Sequence, residues 1–427
     1  MRFNLKKYLT ILGIVLLAIW AFQEMNLPSL SMPTTFNQLE IENSIKQNRT
    51  GDLVIKVVNS RQEPIAGAAI QLKQTRHHFE FGTALSTKLF TSNVDLELQK
   101  KYLETAKQLF NASVHENALK WYATEPVRGQ VSYADADRIL NWSQINRLKM
   151  RGHTLFWEVE KWNTAWLKTL NQEELFLAVQ KRTVEVCSRY QGKIGEYDVL
   201  NEMLHGNFFR DRLGEDIVEK MFHWCHTADP NARLYVNDYD ILNGAKLDSY
   251  VKQIRYLLKR GVPIGGIGVQ GHIRGSISAA RVQQSLDTLA QFNLPIKITE
   301  FDVVAPTEAE RVQVLTDVYR VAFAHPAVKG ILMWGFWEGA HWEPKAALYS
   351  RNWQPLPVAK AYLDLLYNKW WTKLDGFTNQ VGVLPVRAFF GEYILQVDTG
   401  NKVSSLCFTL SPEEKTPKEI VIVVQPR

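Results

Sequence analysis

GEYDVLNEMLHGNFFRDRLGEDIVEKMFHWCHTADPNARLYVND, residues 195–238, holds two short β-type runs, 196–201 and 232–238, around a helix-period stretch at 214–228. Short buried strands joined by a longer helix are the signature of a parallel β–α–β unit. The same alternation extends in both directions. Further strand runs lie at 79–85, 111–115, 150–157, 265–271, 295–301 and 328–335, and further helical stretches at 95–108, 134–148, 171–190, 245–260, 278–292 and 308–324. An eighth helix is expected at 355–369. Eight β–α units in one stretch match the closed (β/α)8, or TIM, barrel of the α/β class. An open doubly wound sheet would want a glycine-rich phosphate turn after its first strand, and Phe81-Gly-Thr-Ala84 is not one.

The flanks read differently. Asp52–Val58 and Ala68–Lys73 surround Pro64 and Gly67, which predicts an N-terminal β hairpin module at 51–75 before a barrel spanning 76–372. Residues 376–427 return to short strands (383–390, 393–397, 403–410 and 419–424) and predict a small C-terminal β domain. Residues 24–50, with Pro28 and Pro33, read as a linker. Ahead of it, Arg2, Lys6 and Lys7 precede an apolar run from Leu9 to Phe22. That is the pattern of an export signal within residues 1–23, or of an anchor through residues 9–22 if it is not cleaved. The expected location is therefore extracellular or periplasmic, with the membrane touched only through that segment.

Composition narrows the function. Apolar residues make up 46%, and 50 Lys and Arg against 44 Asp and Glu leave a net charge of +6 with no basic patch to suggest nucleic acid. Cys187, Cys225 and Cys407 fit neither a zinc motif nor a disulfide framework, and are expected as buried thiols. No cofactor or metal motif is present, and a monomer is expected. The 13 Trp suit either a thick core or a sugar-stacking cleft.

In such a barrel the working residues sit at the C-terminal strand ends. Those ends carry His115-Glu116-Asn117 with Lys120, then His153 and Trp157, Asn201-Glu202 with His205, and Asn237-Asp238-Tyr239. Gln270 and His272, Glu300 with Asp302, and Trp334 complete the ring. Polar groups interleaved with Trp describe a cleft for a neutral polyhydroxylated ligand. Glu202 and Glu300 each end a buried β-run, where an unpaired carboxylate is costly unless it has a task. They stand on strands four and seven, nearly opposite across the mouth, so both can flank one scissile bond as glycoside hydrolysis requires.

The segments HENALKWYATEPVRGQVSYADAD, MRGHTLFW, YDVLNEMLHG, LYVNDYD, GIGVQGH, ITEFDV and ILMWGFWEGAHW resemble, in the same order, those of glycoside hydrolase family 10 xylanases. The resemblance runs from about Phe79 to Trp371, and NEMLH, FWEVEKW and HHFEFGTAL are similar to its plant-type branch. It implies a retaining endo-β-1,4-xylanase acting on xylan or xylo-oligosaccharides, with Glu202 as acid/base and Glu300 as nucleophile. It further implies that Glu116, Asn117, Lys120, His153 and Trp157 hold the glycone and that Asn201 meets the 2-hydroxyl. Gln270 and His272 would orient Glu300, Trp334 and Trp342 would wall the glycone sites, and Tyr239 the leaving-group side. His205 reads equally as a sugar contact or as a support. One departure stands out: Glu158 follows Trp157 where the family commonly has His, with Glu160-Lys161 in place of a Gln-bearing loop. A retaining barrel for another β-glycan and a non-catalytic carbohydrate-binding barrel are the competing readings.

Overall fold

The computed structural model describes residues 38–91, 93–400, 403–414 and 417–424. The expected export signal or anchor at 1–23 lies outside them. Residues 38–49, expected as linker, instead form helix α1 (Gln38–Arg49). Its last residue explains the docking: the buried Arg49 guanidinium donates to the carbonyls of Phe323, His325 (2.6 Å) and Val328 (2.9 Å). The first two are acceptors at the end of a long helix, where carbonyls lack intrahelical partners.

Two strands follow, β1 (Thr50–Asn59) and β2 (Ala69–His77), and then the barrel begins. Its staves are β3 (Glu80–Leu85), β4 (Ala112–His115), β5 (Lys149–Gly152) continued by β6 (Phe156–Trp157), β7 (Glu196–Asn201) and β8 (Arg233–Asp238). The remaining three are β9 (Gly266–Val269) continued by β10 (His272–Arg274), β11 (Ile296–Val304) and β12 (Val328–Met333). All neighbours are parallel, and the pairings β9–β11 and β12–β3 close the ring. Every residue of β7 is buried, as a strand covered on both faces requires.

Seven long helices and a shorter one wrap the staves. They are α2 (Leu96–Leu109), α3 (Ala134–Ile145), α4 (Gln172–Arg189), α5 (Asp216–Ala228), α6 (Leu247–Lys259), α7 (Ala279–Ala290), α8 (Glu308–Ala324) and α9 (Pro357–Leu363). Capping boxes start α4 (Asn171 with Glu174) and α8 (Thr307 with Glu310), each satisfying two otherwise orphaned N–H groups. Cys187 on α4 and Cys225 on α5 form a disulfide, and Cys407 is an exposed free thiol, so none of the three is a buried thiol. The two cysteines are 38 residues apart, but α4 and α5 flank β7 side by side and bring their Cα atoms to 5.5 Å. Spacing along the chain does not carry that proximity.

After the barrel come β13 (Lys373–Phe377), β14 (Val383–Phe389), β15 (Gly391–Asp398), β16 (Val403–Leu410) and β17 (Lys418–Val424). They do not stand alone. β1 lies between β14 and β17, and β2 lies between β13 and β15, with β16 at the edge. The turn expected after β1 is present, closed by Asn59 N to Glu63 O and Ile65 N to Val57 O (both 2.9 Å). Past Ile65 the chain crosses to the other sheet, so β1 and β2 never pair as a hairpin. Their inward residues Leu53, Ile55, Ile70 and Leu72 share one core with Tyr393, Leu395, Ile420 and Ile422. Burying that alternation from both sheets is what a hairpin alone could not do.

The barrel interior below the mouth is charged rather than purely aliphatic. Lys297 contacts Glu196 (2.6 Å) and Glu80, Arg151 donates to Glu196 (2.8 Å) and grips Asp198, and Asp198 Oδ2 lies 3.0 Å from His153 Nδ1. Glu196 and Asp198 are two apart in β7 and so face the same interior.

Candidate active site

β7 ends at Asn201, and Glu202 takes a left-handed backbone, φ 60°. A non-glycine residue there is strained, and such strain is tolerated where the surroundings over-determine it. Here they do: Glu202 N donates to Asn237 O at 2.9 Å. Its Oε1 accepts from Gln270 Nε2 (3.0 Å) and Asn201 Nδ2 (3.2 Å), and its Oε2 from Trp157 Nε1 (2.7 Å). Burial pushes the Glu202 carboxyl above its ordinary range, the Gln270 and Trp157 donors pull it back, and the charge on Glu300 pushes further up.

Glu300, buried in β11, has the opposite surroundings. Asn237 Nδ2 donates to its Oε1 at 2.8 Å, His272 Nε2 lies 3.4 Å from Oε2, and His153 Nδ1 is 3.9 Å from Oε1. Burial alone would raise this carboxyl, but His153, His272 and Lys120 outweigh it and hold Glu300 below its ordinary range. His272 is half-buried, and loss of solvent favours its neutral ring, yet Asp302 (2.8 Å from Nδ1) and Glu300 lift it to about 10. It is an imidazolium at neutral pH, donating to both carboxylates.

The remaining residues of the reading converge on this pair. Lys120 is buried, donates to Asn117 Oδ1 (3.1 Å), and lies over the rings of Trp157 (4.6 Å) and Trp334 (5.7 Å). Burial lowers its ammonium, with Glu300, Glu116 and Glu202 opposing. Glu116 is half-buried beside it, and burial raises its carboxyl. Trp334 is buried edge-on to His153, while Trp342 is half-exposed and donates Nε1 to Asp302 Oδ2 (2.7 Å). His205 is a support: its Nδ1 lies 2.7 Å from Asp238 Oδ1, and its ring stacks on Tyr239 with centroids 3.5 Å apart.

Two assignments change. Gln270 does not orient Glu300 through its side chain; the amide donates to Glu202 instead. The reason is Gly271 at φ 87°, which ends β9's run so that Gln270 and His272 are not successive residues of one strand. Trp157, assigned to the glycone, also places its indole N–H on Glu202. Reading strand ends missed the roles of Asn237, which bridges Asn201 Oδ1 (2.9 Å) and Glu300, and of Asp302, which sets His272. It missed Asp198 altogether. The signal was there: two carboxylates, Glu196 and Asp198, inside one buried strand demand cations, and Arg151 and Lys297 supply them.

Known proteins are similar to this chain over the same region. Residues 69–365 match the model of the family described as glycosyl hydrolase family 10. A protein named Anti-sigma-I factor RsgI6 from Acetivibrio thermocellus is 39% identical over 84% of this chain and 46% of its own length. Endo-1,4-beta-xylanase 1 of Arabidopsis thaliana is 37% identical over 88% of this chain and 39% of its own. The chain thus spans less than half the length of these curated relatives. Among solved structures, xylanase 10B from Thermotoga petrophila RKU-1 in complex with xylobiose superposes with a TM-score of 0.63 at 28% identity, over 68% of this chain and 95% of that one. The match over most of the barrel joins the two opposed carboxylates in one conclusion: this chain is a member of glycosyl hydrolase family 10.

Proposed function

We propose that the protein is an endo-β-1,4-xylanase that retains anomeric configuration, with Glu300 as nucleophile and Glu202 as acid/base. One observation carries this: two carboxyl groups, linked through Asn201 and Asn237, have opposite electrostatics, Glu300 held below the ordinary carboxyl range and Glu202 raised above it. The Glu300 carboxylate forms a bond to the anomeric carbon as the glycosidic C–O bond breaks, and the bond's electron pair goes to the leaving oxygen. Glu202 gives that oxygen its proton. Once the ester has formed, the Glu300 charge that added to burial in raising Glu202 is gone. Glu202 then takes a proton from water as the water oxygen bonds to the anomeric carbon; the ester C–O bond breaks, its electron pair returns to Glu300, and the sugar leaves. Release of reducing ends from xylan but not from β-glucan or mannan tests the substrate. Proton NMR of the first product tests the stereochemistry, and an inverted anomer overturns it.

The environments also set the pH profile. Activity on xylan falls on the acid side as Glu300 gains a proton, and on the alkaline side as Glu202 loses one. His272 stays charged to about 10 and so does not shape the alkaline limb below that. On a substrate with an activated leaving group, Glu202→Gln removes the alkaline limb of kcat/KM. A limb that persists unchanged assigns it to another group.

Lys120→Ala lowers kcat/KM on xylan by roughly ten- to several-hundred-fold, at about 1.4 kcal/mol per decade. An unchanged value in a folded variant removes Lys120 from the site.

A second reading, a barrel that binds carbohydrate without turnover, is favoured by one finding: a relative at 39% identity is named an anti-sigma factor. Binding of xylo-oligosaccharide with no reducing ends released selects it. For location, we infer a protein that works outside the cytoplasm. The basic and apolar N-terminus supports this, as does the Cys187–Cys225 disulfide, a bond that persists in oxidising compartments. Recovery of the protein wholly in the cytosol, with both thiols reduced, overturns it.

A further inference from the structure

Trp157-Glu-Val-Glu-Lys-Trp-Asn163 is the segment that departs from the family pattern, and its departures are tied together. Glu158 turns away from the cleft: its Oε2 accepts from Phe209 N and its Oε1 from Arg210 Nε, both at 2.9 Å in a fully buried position. Gly206 packs so closely that a Cβ there would stand 2.4 Å from the Glu158 carbonyl. At the other end, Asn163 Nδ2 donates to the carbonyls of Trp157 (2.8 Å) and Val159 (3.2 Å). The loop is fixed at both ends. Between them, Trp162 stacks on Trp157, with centroids 5.1 Å apart and planes 17° from parallel, and the Lys161 ammonium lies 5.0 Å from the Trp162 centroid. Trp162 is 42% exposed, so the core has no claim on it.

What Trp157 does with this support is read from Glu202. Oε1 already accepts two N–H groups, from Gln270 and Asn201, whereas Oε2 accepts one, from Trp157. A carboxyl oxygen has two acceptor sites, so the free one that can carry the proton is on Oε2. The indole N–H at 2.7 Å decides where that free site points. We propose that Trp162 is a positioning residue for Glu202: by fixing the ring of Trp157 it aims the proton that Glu202 delivers to the leaving oxygen. This rests on the hydrolase reading above.

Leaving-group dependence tests it, because a poor leaving group needs the proton and a good one does not. The probes are phenyl and dinitrophenyl β-xylobiosides, read as kcat/KM. Trp162→Ala loses roughly ten- to a hundredfold on the phenyl substrate and less than about threefold on the dinitrophenyl one. Trp162→Phe, which keeps a stacking ring, restores most of the phenyl rate. Equal losses on both substrates overturn the proposal and make Trp162 a sugar platform or a packing element. No loss on either overturns it as well. If Trp162→Ala does not fold, Trp162→Phe and Trp162→Leu decide through the ratio of the two rates, which must widen from Trp to Phe to Leu; a flat ratio overturns it. A wild-type protein inactive on both substrates brings down the hydrolase reading itself, an outcome distinct from any of these.

Discussion

Glu300→Gln abolishes turnover on every glycoside, whatever its leaving group, with a loss of about five or more decades in kcat, on the order of 7 kcal/mol. The substitution removes the atom that bonds to the anomeric carbon and leaves the surroundings nearly intact. Asn237 keeps an acceptor, and His272 keeps Asp302 at 2.8 Å. The folded protein is therefore recovered, and its binding of xylo-oligosaccharide by calorimetry survives. Glu202→Gln behaves differently, because its loss depends on the leaving group. A Glu300→Gln variant within about tenfold of wild type takes the nucleophile role away from this residue.

Arg151→Met has the largest expected effect on stability. Arg151 is 1% exposed and is held by Glu196 and Asp198; without it, among the described residues, Asp198 keeps His153 alone as a hydrogen-bonding side-chain partner. Removing one member of a buried ionic cluster costs about 3–5 kcal/mol, mostly the penalty of the charge left behind. Chemical denaturation shows a midpoint lowered accordingly. Adding Asp198→Asn to Arg151→Met recovers part of the loss, and a double-mutant cycle measures the coupling. Simple additivity of the two changes places the stabilisation elsewhere.

The barrel was legible because its information is local. Strand run and helix period alternate eight times, and most of the expected ranges fall within a residue or two of the observed ones, as at 196–201 and 308–324. Glu202 and Glu300 were legible because a carboxylate at the end of a buried run has few structural excuses. What could not be read depends on where side chains point after the chain bends. Gln270 and His272 look like neighbours on one face until Gly271 separates them. Glu158 looks like a cleft residue until Arg210, some fifty positions on, claims it. Cys187 and Cys225 meet only because two helices pack side by side, and Asp198 matters only because Arg151 lies beneath His153.

The two-sheet body built from both ends of the chain sets a timetable for synthesis. Arg387 Nε reaches Thr50 Oγ1 at 2.8 Å across 337 residues of sequence, and β1 sits between two strands that are made after the barrel. At about 5–20 residues per second, β1 and β2 leave the ribosome roughly 15–60 s before β14, β15 and β17 exist. For that interval two apolar strands wait with unpaired edges, which is when edge-to-edge association is most dangerous. Most barrel staves pair with the stave made just before them, and only β3 waits, for β12, which is still made before β14. The order of events is therefore barrel first and sandwich afterwards, with β1 and β2 unpaired until β14, β15 and β17 are made.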